Sequence, residues 1–229
     1  MSDKLSDDRS DTLSRGRAHA GFRVGAFPPE LPLDAVPSGT KGRILESALV
    51  AFAERGFHGT SIRTIADGVG INSATLYSHF ASKEQILAAL VTIGSQALLT
   101  RLEAELELES TSASTSTSVD RLDAIVKATV VAHATYPLLA IVTNSEFYAL
   151  SEDLAAPALE LRASAASLLR EILTVGASDG SFTVDLSTTA HVLEGMAQQI
   201  PLWMDPSKDR PDELARAYVA IARRIVGAV

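Results

Sequence analysis

From Ile44 to Leu87 the apolar positions fall three and four residues apart, and short polar breaks interrupt them at regular intervals. Leu45, Ala48, Leu49 and Phe52 make one apolar helical face, and Gly56 ends that helix. Thr60, placed before Ile62, Ile65 and Ala66, is the predicted N-cap of a second helix. Gly68-Val69-Gly70-Ile71 then predicts a tight turn, with both glycines free to take positive φ. Asn72 caps a short third helix from Ser73 to His79. Ser82-Lys83-Glu84-Gln85 has the form of a capping box, with Gln85 reaching back, and opens a long helix to about Glu109. Two short helices joined by a Gly-containing turn form a helix-turn-helix.

On either side the pattern changes. Residues 1–38 mix Ser, Asp and Arg and then run into FPPELPLDAVPSG, with no sustained helical period. They read as a solvated, flexible tail, whose Arg15, Arg17 and Arg23 have the alternative of reaching DNA as a basic arm. STSASTSTS, Ser110 to Ser118, is low in complexity and reads as an exposed loop. Beyond it Leu122, Ile125, Val126, Thr129 and Val130 share one helical face, broken near Tyr136-Pro137. Further helices are predicted over Leu138–Leu150, Leu154–Val175, Leu186–Met204 (kinked by Pro201) and Pro211–Val226. The fold class is therefore all-α: a three-helix head over 39–87 and a larger helical body over 88–229, about nine helices in total.

Composition narrows the function. Cysteine is absent, so no disulfide framework or thiolate site is possible, which fits a cytoplasmic protein. The first residues, MSDKLSDDRSDTLSRGR, lack the basic and apolar blocks of a secretion signal. The apolar run Ala128 to Val142 is interrupted by His133, Thr135, Tyr136 and Pro137, so no membrane association is expected. The net charge of −8 is awkward for a DNA binder, but it is unevenly spread. Residues 1–40 carry five Lys/Arg against six Asp/Glu, residues 41–90 five against four, and residues 91–229 ten against eighteen. The acidic charge sits away from the head.

Within the head, side-chain chemistry suggests roles. Thr60 and Ser61 stand at a helix N-terminus, where hydroxyls and free N–H groups suit a phosphate, and Lys83 adds a charge at another. Ser73, Ala74 and Thr75 open the third helix and are placed for base edges, with Tyr77 and His79 placed for the DNA backbone at its end. Arg63 can reach base or phosphate. The plainer alternatives are that Thr60 and Ser82 are only caps and His79 a packed core residue; Leu76 and Phe80 are assigned to the core. Enzyme readings fare poorly. Gly176-Ala177-Ser178-Asp179-Gly180 fits the G-x-S-x-G pattern but lacks a strand before it and a helix after it. His19, His58, His79, His133 and His191 have no metal-ligand spacing, so neither metal nor cofactor is expected.

The segment AFAERGFHGTSIRTIADGVGINSATLYSHFASKEQIL resembles the DNA-binding head of the TetR/AcrR family of transcriptional regulators, which usually reads LFAExGYxxTSIxxIAxxAGVSxGTLYxHFxSKExL. The likeness covers about a fifth of the chain, with mild departures at Val69, Asn72 and Ala74. It implies a repressor that binds a palindromic double-stranded DNA operator as a homodimer. The implied dimer helices are the last two, with stripes Leu186-Ala190-Leu193-Met196-Ala197-Ile200 and Leu214-Ala217-Tyr218-Ile221-Ile225; the alternative is that both stripes face their own core. It also implies an effector cavity in the body. His133, Tyr136, Asn144, Glu146, Phe147, Tyr148, Gln199 and Trp203, polar or aromatic groups on apolar helices, are its candidate lining. EFYALSEDLAAP and the later Trp loosely resemble relatives that respond to fatty-acyl or sterol-derived CoA thioesters, for which Arg162 and Arg170 offer phosphate partners; drug-like hydrophobic compounds are the other effector class. The competing function is a helical protein-interaction module without DNA binding.

Overall fold

The computed structural model describes residues 24–112 and 116–228. Among these every regular element is helical. A 3-10 turn, Val24–Ala26, precedes α1 (Thr40–Gly59), α2 (Ile62–Val69), α3 (Ser73–Tyr77) and the 30-residue α4 (Lys83–Ser112). The body continues with α5 (Ser118–Thr135), α6 (Pro137–Ser145), a 3-10 turn at Phe147–Ala149, α7 (Glu152–Ser178), α8 (Leu186–Gln198), α9 (Ile200–Trp203) and α10 (Pro211–Ile225).

In the head, Ile44, Leu45, Leu49, Phe52, Ile65 and Leu76 are fully buried, so the predicted apolar face is the head's core. Gly56 takes φ 70 and kinks α1 one turn before its end. Of the two turn glycines only Gly70 is left-handed (φ 75), as the C-cap of α2. Asn72 caps α3 as expected, its Oδ1 accepting from Thr75 N at 2.8 Å. The cap of α2, by contrast, is Ser61 rather than Thr60: Thr64 N donates to Ser61 Oγ at 3.0 Å. Ser82 accepts from Gln85 N at 3.1 Å, while Gln85 reaches back one residue further than predicted, to Ala81 N at 3.0 Å.

The body is built on α4, which packs against α5, α6 and α7, and on the pairing of α5 with α10. By length and composition α4 could cross a bilayer. Here Ile86, Leu87, Leu90, Val91, Leu99 and Leu102 are buried in the protein core. The helix-loop boundaries differ from expectation at Ser110–Ser118: α4 runs on to Ser112, and Thr117 and Asp120 form a capping box that starts α5. The predicted single helix Leu186–Met204 is divided at Gln199 into α8 and α9, because Pro201 has no N–H for the next helical bond.

Two expectations are corrected. The tail reading fails for residues 24–38, because Phe27 and Leu31 are both 6% exposed and belong to the core. Arg15, Arg17 and Arg23 lie outside the described residues. Most of the first predicted stripe is also not free for a partner: Ala190, Leu193 and Ala197 on α8 and Ile200 on α9 are buried in their own subunit. Leu186 of that stripe is exposed, as is Val192 outside it, and on α10 Ile221 of the second stripe is exposed.

Candidate DNA-reading head and effector cavity

Asn72 fixes where α3 begins and buried Leu76 fixes which side faces inward, so Ala74, Tyr77, Ser78 and His79 are left exposed on one edge. Tyr77 is 52% exposed, a large aromatic half in water at the surface. Ser73 and Thr75 are half-buried beside them. His79 is therefore not a core residue. Arg63 lies on the exposed side of α2, paired loosely with Asp67 at 3.8 Å. Lys41 in the first turn of α1 holds its ammonium 5.2 Å from the Phe80 ring, next to His79. The sequence reading missed it; a cation at the opening of α1, within reach of α3, was the available signal.

Thr60 and Lys83 do something other than expected. Thr60 is buried, and its hydroxyl lies 2.9 Å from both Ala51 O and Gly56 O, on either side of the kink's start. It is a structural clasp. The Lys83 ammonium donates to Phe57 O at 2.6 Å and Thr60 O at 2.7 Å, and sits 4.2 Å over the Phe57 ring. Burial holds its pKa below the usual lysine range. Both residues close the loop between α1 and α2, leaving Ser61, with its exposed hydroxyl and the free N–H groups of the following turn, as the α2 end that can meet a phosphate.

The kink has a second consequence. It frees the amide of Phe57, which donates to Glu146 Oε2 at 2.8 Å, 89 residues away at the end of α6. Ser151 N donates likewise to Glu84 Oε1 at 2.7 Å. Two carboxylate-to-amide bonds thus tie head to body, and the one at Glu84 holds that carboxyl below the ordinary range.

The body forms a partly open cavity of about 800 Å³ between α4, α5, α6, α7 and α8. His133, Tyr136 and Asn144 line it as expected. Tyr148, in the 3-10 turn after α6, is 88% exposed and Trp203, at the end of α9, 51%, and neither they nor Gln199 line the cavity. Phe147 stands behind the wall, its ring 4.3 Å under the Arg162 guanidinium, which itself donates to Thr143 O and lines the cavity. His133 donates through Nδ1 to Thr129 O at 2.8 Å, and Asn144 Nδ2 approaches its Nε2 at 3.4 Å. Burial pulls the His133 pKa down, against a smaller opposing effect of the Thr129 bond.

The cavity's polar wall went unread in the sequence. Ser95 Oγ, Arg101 Nε, Thr143 Oγ1 and Glu194 Oε1 are buried with no hydrogen-bond partner among the described residues, and all four belong to residues that line this cavity. Unpaired buried polar atoms cost about 1–3 kcal/mol each, so their convergence marks a surface built for a partner with both donors and acceptors. The signal was Arg101 between Leu98 and Leu102, and Glu194 between Ala190 and Ala197, charges on otherwise apolar faces.

Residues 44–90 match the family model for the N-terminal domain of bacterial regulatory proteins of the tetR family, and residues 115–226 match a tetracyclin repressor-like C-terminal domain. The chain belongs to the TetR family. KstR2 of Rhodococcus jostii, an HTH-type transcriptional repressor, is 29% identical over 85% of this chain and 94% of its own length. KstR2 of Mycobacterium tuberculosis is 53% identical over 51 residues, which span 22% of this chain and only 26% of that protein. The solved structure of this M. tuberculosis KstR2, described as a ketosteroid transcriptional regulator, has a TM-score of 0.71 at 25% identity and covers 82% of this chain and 96% of its own. A tetR-family regulatory protein from Rhodococcus RHA1 has a TM-score of 0.76 at 27% identity, covering 84% and 100%. As a TetR-family member the protein is a DNA-binding transcriptional regulator with an N-terminal helix-turn-helix and a helical C-terminal body. Gly176–Gly180 is the end of α7 and its turn, with the Phe182 ring packed on Gly176, and so has no strand-turn-helix context for a nucleophile.

Proposed function

We propose that the protein is an effector-released repressor, binding a palindromic operator as a homodimer and carrying out no chemistry of its own. The observation that carries this reading is the cavity with four unpaired polar groups, joined through α6 and Glu146 to the α1–α2 loop of a head whose α3 presents Tyr77 to solvent. Ala74, Tyr77 and His79, with Ser73 and Thr75, read or clamp DNA, while Ser61, Arg63 and Lys41 meet phosphates. Residues 39–87 act as the head and 88–229 as the effector-binding and dimerisation body. The dimer forms through the exposed faces of α8 and α10, at Leu186, Val192 and Ile221. No membrane partner is needed, and the site of action is the cytoplasm.

The effector is an apolar molecule with a polar or anionic group, because Arg101, Arg162 and Arg170 share the wall with alanines and leucines. An acyl-CoA-like thioester fits that description, and likeness to a ketosteroid regulator supports an apolar body of sterol origin. The test is binding of the purified protein to DNA flanking its own gene, at two salt concentrations, with and without a panel of acyl-CoAs. Saturable, salt-sensitive binding abolished by one thioester supports the whole reading. Binding indifferent to the panel removes the thioester class and keeps the regulator. Failure to bind DNA, including in a random-sequence selection, favours a helical interaction module instead.

A further inference from the structure

Residues 24–38 precede the part of the chain matched by the family's DNA-binding model, yet they are anchored at three points. The turn Val24–Ala26 touches α1. Phe27 and Leu31 insert into the core. Val36 and Pro37 lie on the first turn of α1, so closely that a Cβ at Gly42 would stand 2.3 Å from Pro37 O and 3.1 Å from Val36 Cγ1. Between the last two anchors the chain turns, Ala35 N donating to Pro32 O at 3.1 Å, and Pro32, Asp34 and Ala35 face the body cavity opposite α7.

We propose that this segment is a working wall of the effector site: a strap that closes the cavity beside α4 and passes its displacement straight to α1. The proposal rests on the cavity being the effector site. Its physical basis is leverage over a short length. Only Val36 to Gly39 separate the cavity wall from the start of α1, and Pro37 O seats on Gly42 so closely that movement of the strap toward α1 presses directly on that helix. A ligand that pushes Pro32 or Ala35 therefore shifts the first turn of α1, which carries Lys41 over the Phe80 ring in the connection from α3 to α4. This path to the head is separate from the one through Glu146.

The test uses the full chain and anilinonaphthalene sulfonate, a probe with an apolar body and one anionic group, followed by fluorescence titration. Leu31→Ser unpins the strap, Ala35→Phe adds bulk to its cavity side, and Leu33→Ser changes a neighbour that is 95% exposed. Ala166→Phe on α7 alters the cavity without touching the strap. The expected result is a change in probe Kd of about fivefold for Leu31→Ser, Ala35→Phe and Ala166→Phe, the size expected from a few tens of Å² of apolar contact, and none for Leu33→Ser. Saturating probe should also slow hydrogen exchange across Pro32–Gly42. If circular dichroism shows Leu31→Ser unfolded, Ala35→Phe and the exchange data decide. A shift with Ala166→Phe alone, with exchange across Pro32–Gly42 unchanged, overturns the strap and leaves the cavity standing. Titrations that no substitution moves overturn the cavity reading and the strap together.

Discussion

His133 offers a quantitative test of how the body is packed. It is 6% exposed, and its ring is held neutral by burial, with Nδ1 donating to Thr129 O and Nε2 facing Asn144. Its folded pKa is therefore below the unfolded value of 6.5. The sign follows from proton counting. Between the folded and unfolded pKa values the unfolded chain binds a proton that the folded chain refuses, so stability is fully present above pH 6.5 and is lost as pH falls. Moving from pH 7.5 to 5.5 therefore lowers stability, by at most about 1.4 kcal/mol, the full cost of protonating the unfolded imidazole across that range. With a urea dependence of about 3 kcal/mol/M the midpoint moves down by up to about 0.5 M. The assay is a pair of urea melts at the two pH values for the wild type and His133→Gln. Histidines elsewhere are common to both proteins, so the difference in pH dependence isolates this one. Equal pH dependence in the two proteins would refute the buried neutral imidazole.

Three further outcomes are expected. Tyr77→Ala should leave the melting temperature within about 2 °C of wild type and weaken operator binding at least tenfold, since about half of the side chain is exposed and it lies outside the buried core; fluorescence anisotropy on a labelled operator checks both the loss and its specificity. Thr60→Val should cost about 1–3 kcal/mol in urea unfolding by stranding the carbonyls of Ala51 and Gly56, with Thr60→Ser largely restoring it. Gly176→Ala should destabilise by about 1–3 kcal/mol, because the new methyl would stand 2.1 Å from the Phe182 ring, and Phe182→Leu in the same chain should recover part of that loss.

Much of the head was legible because short-range chemistry decides it. Asn72, Ser82, Gly56 and Gly70 act within four residues of themselves, and their roles follow from cap and turn preferences. Thr60 and Ser61 show the limit: both can cap α2, and the choice fell to a kink one turn upstream that draws the Thr60 hydroxyl inward. Lys83 was read as a surface cation because its two acceptors lie 23 and 26 residues earlier. Helix phase limited the cavity reading in the same way. His133, Tyr136 and Asn144 were found as polar groups on apolar helices, whereas Trp203 and Tyr148 looked equivalent and face water. The docking of Phe27 and Leu31 was hidden by the prolines around them, although two large apolar residues four apart in a Pro-rich stretch were the available hint.

The central claim, that one chain couples a filled cavity to release of DNA, is tested most directly by titrating effector into a preformed protein–operator complex and comparing wild type with Glu146→Ala. This substitution removes the bond from α6 to the Phe57 amide while leaving α3 and the cavity wall untouched. The expected result is dissociation of the wild-type complex, and a variant that binds operator and effector separately but needs at least about fivefold more effector to let go, a coupling loss of about 1 kcal/mol. Identical release curves for the two proteins would contradict the account.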